Sequence, residues 1–100
     1  MIYRDFKGKK ISLYGMGAMR LPVVEGDDSR IDESATFEMV DYAMAHGINY
    51  YDTAWSYMQN LSETAVGACL KKHPRDSFYL ATKFPGHMLA ENYDPAEIFE

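Results

Sequence analysis

Cysteine is nearly absent from these 100 residues, and Cys69 is the single example. One thiol can close no internal disulfide and build no cysteine metal cluster, so its simplest role is that of a small buried hydrophobe. Long apolar runs are absent too. No window approaches the ~18 apolar residues that a membrane helix needs, and the opening Met1–Lys7 lacks the apolar stretch of a signal peptide. A cytoplasmic location with no membrane partner is the expectation. Positive charge is scarce as well: 10 Lys and Arg stand against 15 Asp and Glu, for a formal net charge of −5. Without a basic stripe there is nothing to draw in a phosphate backbone or an anionic lipid surface, which argues against nucleic acid as a partner. What remains is 47% apolar and 25% charged, the composition of an ordinary globular unit.

Read along the chain, Ile2–Leu13 carries Phe6-Lys7-Gly8-Lys9-Lys10 between two apolar stretches and predicts a β-hairpin turning at Gly8. Leu13-Tyr14-Gly15-Met16-Gly17 reads as a short buried strand whose glycines admit a close backbone approach. A loop is expected through Pro22, Gly26, Asp27 and Asp28. With Asp32 or Ser34 as N-cap, the spacing of Thr36, Met39, Val40 and Ala43 predicts a helix up to Gly47. Ile48–Thr53 then reads as a strand ending in a carboxylate, followed by a polar loop over 54–61. A second helix opens near Ser62 with Glu63 in its first turn, buries Val66, Cys69 and Leu70, and closes at Lys71-Lys72-His73 before Pro74. Ser77–Lys83 reads as a third strand, ended by Pro85-Gly86. Asp94-Pro95 predicts the start of a third helix.

Successive strands thus fall about 30 to 35 residues apart, the repeat of βα units with parallel strands. A flavodoxin-like open sheet and a closed (β/α)8 barrel both open this way, and periodicity does not separate them. In either, ligands sit beyond the carboxyl ends of the strands, so Gly17, Asp52 and Lys83 should arrive on one face. Taken singly, a strand-end Asp or Lys serves equally well as a loop cap or a solvated charge. A tyrosine five residues after the Asp makes the group chemically interesting.

Asp52-Thr53-Ala54-Trp55-Ser56-Tyr57, preceded by Gly47–Tyr51 and followed by Ser62-Glu63-Thr64-Ala65-Val66-Gly67, resembles the signature of the aldo/keto reductases. The likeness extends to Gly15-Met16-Gly17-Ala18-Met19-Arg20-Leu21-Pro22 and to Leu80-Ala81-Thr82-Lys83-Phe84-Pro85, and so covers nearly the whole chain. It implies a (β/α)8 TIM barrel of which residues 1–100 form the N-terminal part, a hairpin followed by about three βα units of one barrel domain. It implies further that Asp52, Tyr57 and Lys83 match three of four catalytic positions, with tyrosine as the acid, and that the fourth, a histidine, follows Glu100. The implied cofactor is NADP(H), with NAD(H) open because the residues that usually meet the 2′-phosphate lie on later strands. Gly17, Ala18, Met19, Arg20 and Asp52 are the candidates for touching it. The alternative for the glycine segment is a tight turn. Met-Arg-Leu-Pro and the Tyr57 to Glu63 spacing also resemble a subgroup whose members carry a C-terminal iron–sulfur cluster.

The chemistry stands apart from the name. A hydride arriving at a carbonyl carbon leaves negative charge on oxygen, and a phenol there can donate its proton as that charge grows. Free phenols titrate near 10 and are sluggish acids at neutral pH, so an ammonium beside the phenol, itself held by a carboxylate, makes the transfer easier. The expected partner is a small-molecule carbonyl, an aldehyde or ketone. Trp55 either lines the substrate pocket or covers the core edge. Two rival functions remain: a Schiff-base lyase using Lys83, and a reductase-like regulatory module that binds nucleotide without turnover. His46 and His73 read as helix C-terminal residues, whereas His87 follows the third strand on the site's face. Because three strands make less than half of a barrel of about 250 residues, the chain alone is expected to be inactive, poorly stable, and prone to self-association through exposed sheet edges.

Overall fold

The computed structural model describes residues 1–84; the helix start at Asp94, together with Pro85-Gly86 and His87, lies outside the described residues. Its centre is a three-stranded parallel sheet in the order β3-β6-β7, built from Met16–Gly17 (β3), Tyr50–Asp52 (β6) and Tyr79–Ala81 (β7). Helix α1 (Glu33–Ala45) connects β3 to β6, and α2 (Ser62–Leu70) connects β6 to β7. Parallel strands require such crossovers, because a tight turn can join only antiparallel neighbours. The register sets Gly17 beside Asp52 and Asp52 beside Ala81, so the carboxyl ends of all three strands are level.

The hairpin expected at the start forms from β1 (Tyr3–Phe6) and β2 (Lys9–Ser12), with Lys7 and Gly8 at φ 51° and 80°. Two left-handed residues are what a two-residue hairpin turn needs to match strand twist. Beyond it the structure departs from expectation. Only Met16 and Gly17 of the anticipated buried strand pair with β6, while Leu13 and Tyr14 are 55% and 71% exposed. The cause is local: the Leu13 amide still donates to the Ile2 carbonyl, and the Ser12 hydroxyl then donates to the Tyr14 carbonyl, bending the chain outward. A second hairpin, β4 (Val23–Val24) with β5 (Asp27–Ile31), stands where a loop was expected, turning at Glu25 and Gly26 with φ 52° and 74°. Its strand Asp27-Asp28-Ser29-Arg30-Ile31 is too charged to read as a buried strand. It has no need to be buried, since Asp27, Ser29 and Arg30 are exposed.

Asp32 is the N-cap of α1, its carboxylate accepting the Ala35 amide at 3.0 Å. Thr36, Val40 and Ala43 face the core as their spacing predicts, but Met39 is 41% exposed. Val40 and Ala43 already fill the stripe, which leaves Met39 on its flank. The helix ends at His46, and Gly47 follows at φ 88°. The left-handed backbone is what calls for glycine here; a Cβ would lie 2.7 Å from the Tyr3 hydroxyl, the far end of an exposed side chain that can swing aside. Helix α2 opens at Ser62 with Glu63 in its first turn and buries Val66, Cys69 and Leu70, as expected. Its N-cap is Leu61, without a side-chain capping bond, and the Ser62 hydroxyl points inward instead. The third strand is likewise shorter than expected, because Ser77 belongs to a 3₁₀ turn (Arg75–Ser77).

The core lies between the sheet and the two helices. Tyr51, Val40, Val66, Cys69, Leu70 and Phe78 are buried there together with Ala18 and Leu21. Tyr51 stands edge-on to Phe78 with ring centroids 6.5 Å apart, and its hydroxyl donates to the Ile48 carbonyl. Such burial drives association of the layers at roughly 25 cal/mol per Å² of apolar surface. Outside the core, Asp41 of α1 accepts from Lys72 at 2.7 Å and from His73 at 2.9 Å just past α2, bracing one helix against the other. His73 is thus an α1 contact. His46, by contrast, bonds the Tyr42 carbonyl and stacks on the Tyr42 ring.

Candidate active site

Three polar side chains meet where the strands end. The sheet ladder continues a little past its strands: the Ala18 amide donates to Asp52 O, the Thr53 amide to Ala81 O and the Trp55 amide to Lys83 O. Those bonds fix the backbones that carry Asp52 and Lys83 side by side. Lys83 Nζ then lies 2.9 Å from Asp52 Oδ1, 3.0 Å from the Thr53 carbonyl and 3.2 Å from the Tyr57 hydroxyl. An ammonium has three protons and no lone pair, so these three acceptors use it fully. Tyr57 accepts in this arrangement, which leaves its own hydroxyl proton free for a further acceptor. The carboxylate of Asp52, and after it the Tyr57 hydroxyl, raise the Lys83 pKa, so the amine is held as ammonium. The Lys83 side chain is half exposed, and water screens the pair accordingly.

The remaining candidates are distributed unequally around this cluster. Gly17 is exposed, and a Cβ there would meet nothing within 4 Å, so open space lies above the end of β3. Met19 and Arg20 are exposed and border a cavity of about 210 Å³ lined also by Leu21, Met58 and Gln59. Trp55 is 44% exposed. Ala18 differs from its neighbours: its methyl is in the core, its amide is spent on Asp52 O and its carbonyl on the Ser62 hydroxyl. It anchors the segment and presents nothing outward. A larger cavity of about 530 Å³ lies at the opposite end of the sheet, between the first hairpin and Tyr50, remote from the polar cluster. Chemistry marks the site here, and volume does not.

Several contacts were hidden from the sequence. Thr53 and Ser62 are buried, with their hydroxyls 2.7 Å apart. The Thr82 hydroxyl donates to the Glu63 carboxylate, tying the end of β7 to the start of α2. Met58, Gln59 and Asn60 all have left-handed backbones, with φ of 54°, 53° and 70°. A run of three such residues with side chains is uncommon, and neither composition nor periodicity signals it. A pair of hydroxyls at a strand end and a helix start is the trace a reader could have followed.

The sequence model of the Aldo/keto reductase family matches residues 14–99. The chain belongs to this family. Among curated relatives, the protein named Probable aldo-keto reductase 1 of Glycine max is 36% identical over 78 residues, covering 78% of this chain and 22% of that protein. The D-threo-aldose 1-dehydrogenase of a Pseudomonas species is 39% identical over 62 residues, covering 62% of this chain and 18% of the relative. L-Galactose dehydrogenase of Arabidopsis thaliana is 40% identical over 78 residues, covering 76% and 24%. The chain thus spans about a fifth of the length of the curated relatives it matches. A crystal structure from Pseudomonas aeruginosa, described as an aldo-keto reductase, superposes with a TM-score of 0.63 at 24% identity, over 81% of this chain and 32% of its own. That likeness concerns the fold. Among the described residues no helix is long and apolar enough to cross a membrane, and no group of His, Cys, Asp and Glu could hold a metal ion.

Proposed function

We propose that this aldo/keto reductase chain supplies the proton-donating half of an NADP(H)-dependent oxidoreductase that reduces an aldehyde or ketone. The reading rests above all on Lys83 Nζ, whose three protons are committed to Asp52, Thr53 and Tyr57, so that Tyr57 accepts from the ammonium and keeps its own proton to donate. A reduced nicotinamide, when bound, would supply the hydride for the carbonyl carbon. Tyr57 donates its hydroxyl proton to the carbonyl oxygen as negative charge builds there, giving an alcohol and a phenolate. Lys83 stabilises that phenolate through its charge. Asp52 keeps Lys83 charged and oriented, and the Thr53 carbonyl fixes the third direction of the ammonium.

The residues present fit a nicotinamide nucleotide. Gly17 leaves open space at the end of β3, and an exposed guanidinium and thioether, Arg20 and Met19, flank the neighbouring cleft. Arg20 suits an anionic group and Met19 a flat apolar ring face. Asp52 would border the same cofactor from β6. Trp55 is our candidate for the substrate side, an exposed aromatic surface whose backbone is pinned to Lys83 O. Two relatives bear dehydrogenase names for sugars, and alcohol oxidation is the same chemistry in reverse, with the Tyr57 phenolate as base. NAD(H) in place of NADP(H) changes none of these roles.

The Schiff-base alternative runs against the geometry. Imine formation needs a neutral amine, and Lys83 is held as its conjugate acid. We further propose that residues 1–100 contribute to a single barrel domain in the cytoplasm, and that the isolated chain self-associates through the sheet edges at β3 and β7. Loss of NADPH absorbance in the presence of an aldehyde panel, measured on the chain carried in a complete barrel, tests the reductase. Borohydride trapping of a carbonyl compound on Lys83 in place of NADPH consumption would assign the lyase. Tight nucleotide binding with no turnover would assign the regulatory module.

A further inference from the structure

The residue that touches most parts of the site is not one of the three at its mouth. Ser62 opens α2 and is 0% exposed. Its single hydroxyl proton goes to the Ala18 carbonyl at 2.7 Å, since a carbonyl can only accept. The Thr53 hydroxyl, 2.7 Å away, is therefore the donor to Ser62 Oγ. The Ser62 amide in turn donates to the Tyr57 carbonyl at 3.2 Å. One small residue thus grips the end of β3, the end of β6 and the peptide unit of Tyr57. Its neighbour Glu63 accepts from Thr82, the residue before Lys83. None of this is helix capping, because the N-cap is Leu61.

The loop between Tyr57 and Ser62 explains why such a grip matters. It passes through three consecutive left-handed residues, Met58, Gln59 and Asn60. A Cβ disfavours that region, and strained backbone persists only where its surroundings hold it. The two ends of the turn are Tyr57 and Ser62 themselves. The amide-to-carbonyl bond between them closes it, and the buried hydroxyl pair anchors the closure to two strands. Resting on the reading of Tyr57 as proton donor, we infer that Ser62 is a positioning residue: its buried hydroxyl and amide hold the Tyr57 phenol at its distance from Lys83.

The test uses Ser62→Ala and Thr53→Val on the chain carried in a complete barrel, with ring-labelled tyrosine for NMR. The Tyr57 ring resonance, assigned by its loss in Tyr57→Phe, is followed at fixed pH beside steady-state kinetics. Ser62→Ala should displace that resonance as the phenol drifts from the ammonium. It should also lower kcat by about 10- to 100-fold with KM nearly unchanged. Thr53→Val removes only the hydroxyl that donates to Ser62, and should give a smaller displacement in the same direction. It carries the test if Ser62→Ala does not fold. Combining Ser62→Ala with Tyr57→Phe should cost no more kcat than Tyr57→Phe alone. An unmoved Tyr57 resonance with reduced stability would make Ser62 merely structural and overturn the inference, as would multiplicative losses in the double variant. A displaced resonance in a protein whose turnover survives Tyr57→Phe would leave Ser62 as the positioning residue and remove the proton-donor reading instead.

Discussion

Replacing Tyr57 with phenylalanine deletes one oxygen and one proton while leaving the scaffold nearly untouched, which makes it a sharp probe of the site. The Tyr57 amide keeps its bond to Ala54 O, its carbonyl keeps the Ser62 amide, and Lys83 keeps Asp52 and the Thr53 carbonyl. Only the 3.2 Å contact between Lys83 Nζ and the hydroxyl is lost. A single partly exposed hydrogen bond is worth about 0.5–1.5 kcal/mol of stability. In a protein of barrel size that corresponds to a Tm change of about 2–4 °C per kcal/mol. Loss of a general acid is a larger matter, about 10²- to 10⁴-fold in kcat, equivalent to roughly 2.7–5.4 kcal/mol of barrier. Thermal melting, nucleotide titration and steady-state reduction of an aldehyde, all on the chain carried in a complete barrel, separate the two effects. Melting and nucleotide affinity should change little while kcat collapses. A variant retaining more than about a tenth of the original kcat refutes the general-acid role, since even the weakest expected contribution is ~10²-fold.

Lys83→Met should lower kcat and displace its pH profile toward alkaline values, because the ammonium that favours the phenolate is gone; an unchanged profile would return Lys83 to solvent. Gly47→Ala should destabilise the chain by about 1–2 kcal/mol in denaturant unfolding, from the cost of a left-handed alanine, with the Tyr3 hydroxyl displaced by the new methyl from its bond to the Gly47 carbonyl. Burial pushes the Tyr51 hydroxyl up to about 12 from an ordinary value near 10. Its folded-state pKa lies above its unfolded one, so its contribution is complete below pH ~10 and fades as pH climbs toward 12, by at most about 1.4 kcal/mol per unit. Unfolding curves recorded between neutral pH and pH ~11 should show this decline, and Tyr51→Phe should flatten it.

The parts of this structure legible in the sequence are those where one residue type has one physical use. Gly47 after a helical stripe, Asp32 before it, and β-branched or aromatic runs ending in Asp52 and just before Lys83 each have few alternatives. Their order carries the parallel sheet. The second hairpin escaped because its charged strand lies on the surface, where the alternation that announces a buried strand is not required. Ser62 escaped for the opposite reason. A serine before a glutamate at a helix start has a familiar surface use as a cap, and only the packed structure shows the hydroxyl turned inward to Ala18 and Thr53. Met58–Asn60 escaped because left-handed backbone in residues with side chains is imposed by what holds the turn's ends, a long-range property invisible to local propensity.

Cys69 has a use of its own. The thiol is 1% exposed between α1, α2 and the sheet, and burial raises its pKa, so in the folded chain it is both out of reach and the wrong protonation state for an electrophile. As the sequence's sole cysteine, it turns alkylation into a clock. Each labelling event records one excursion in which the helical layer lifts from the strands, and the site at their carboxyl ends loses its support. A disulfide reagent added to this chain would count those openings directly, with no engineered reporter, and a nucleotide that slowed the count would be showing that it binds the assembled layers.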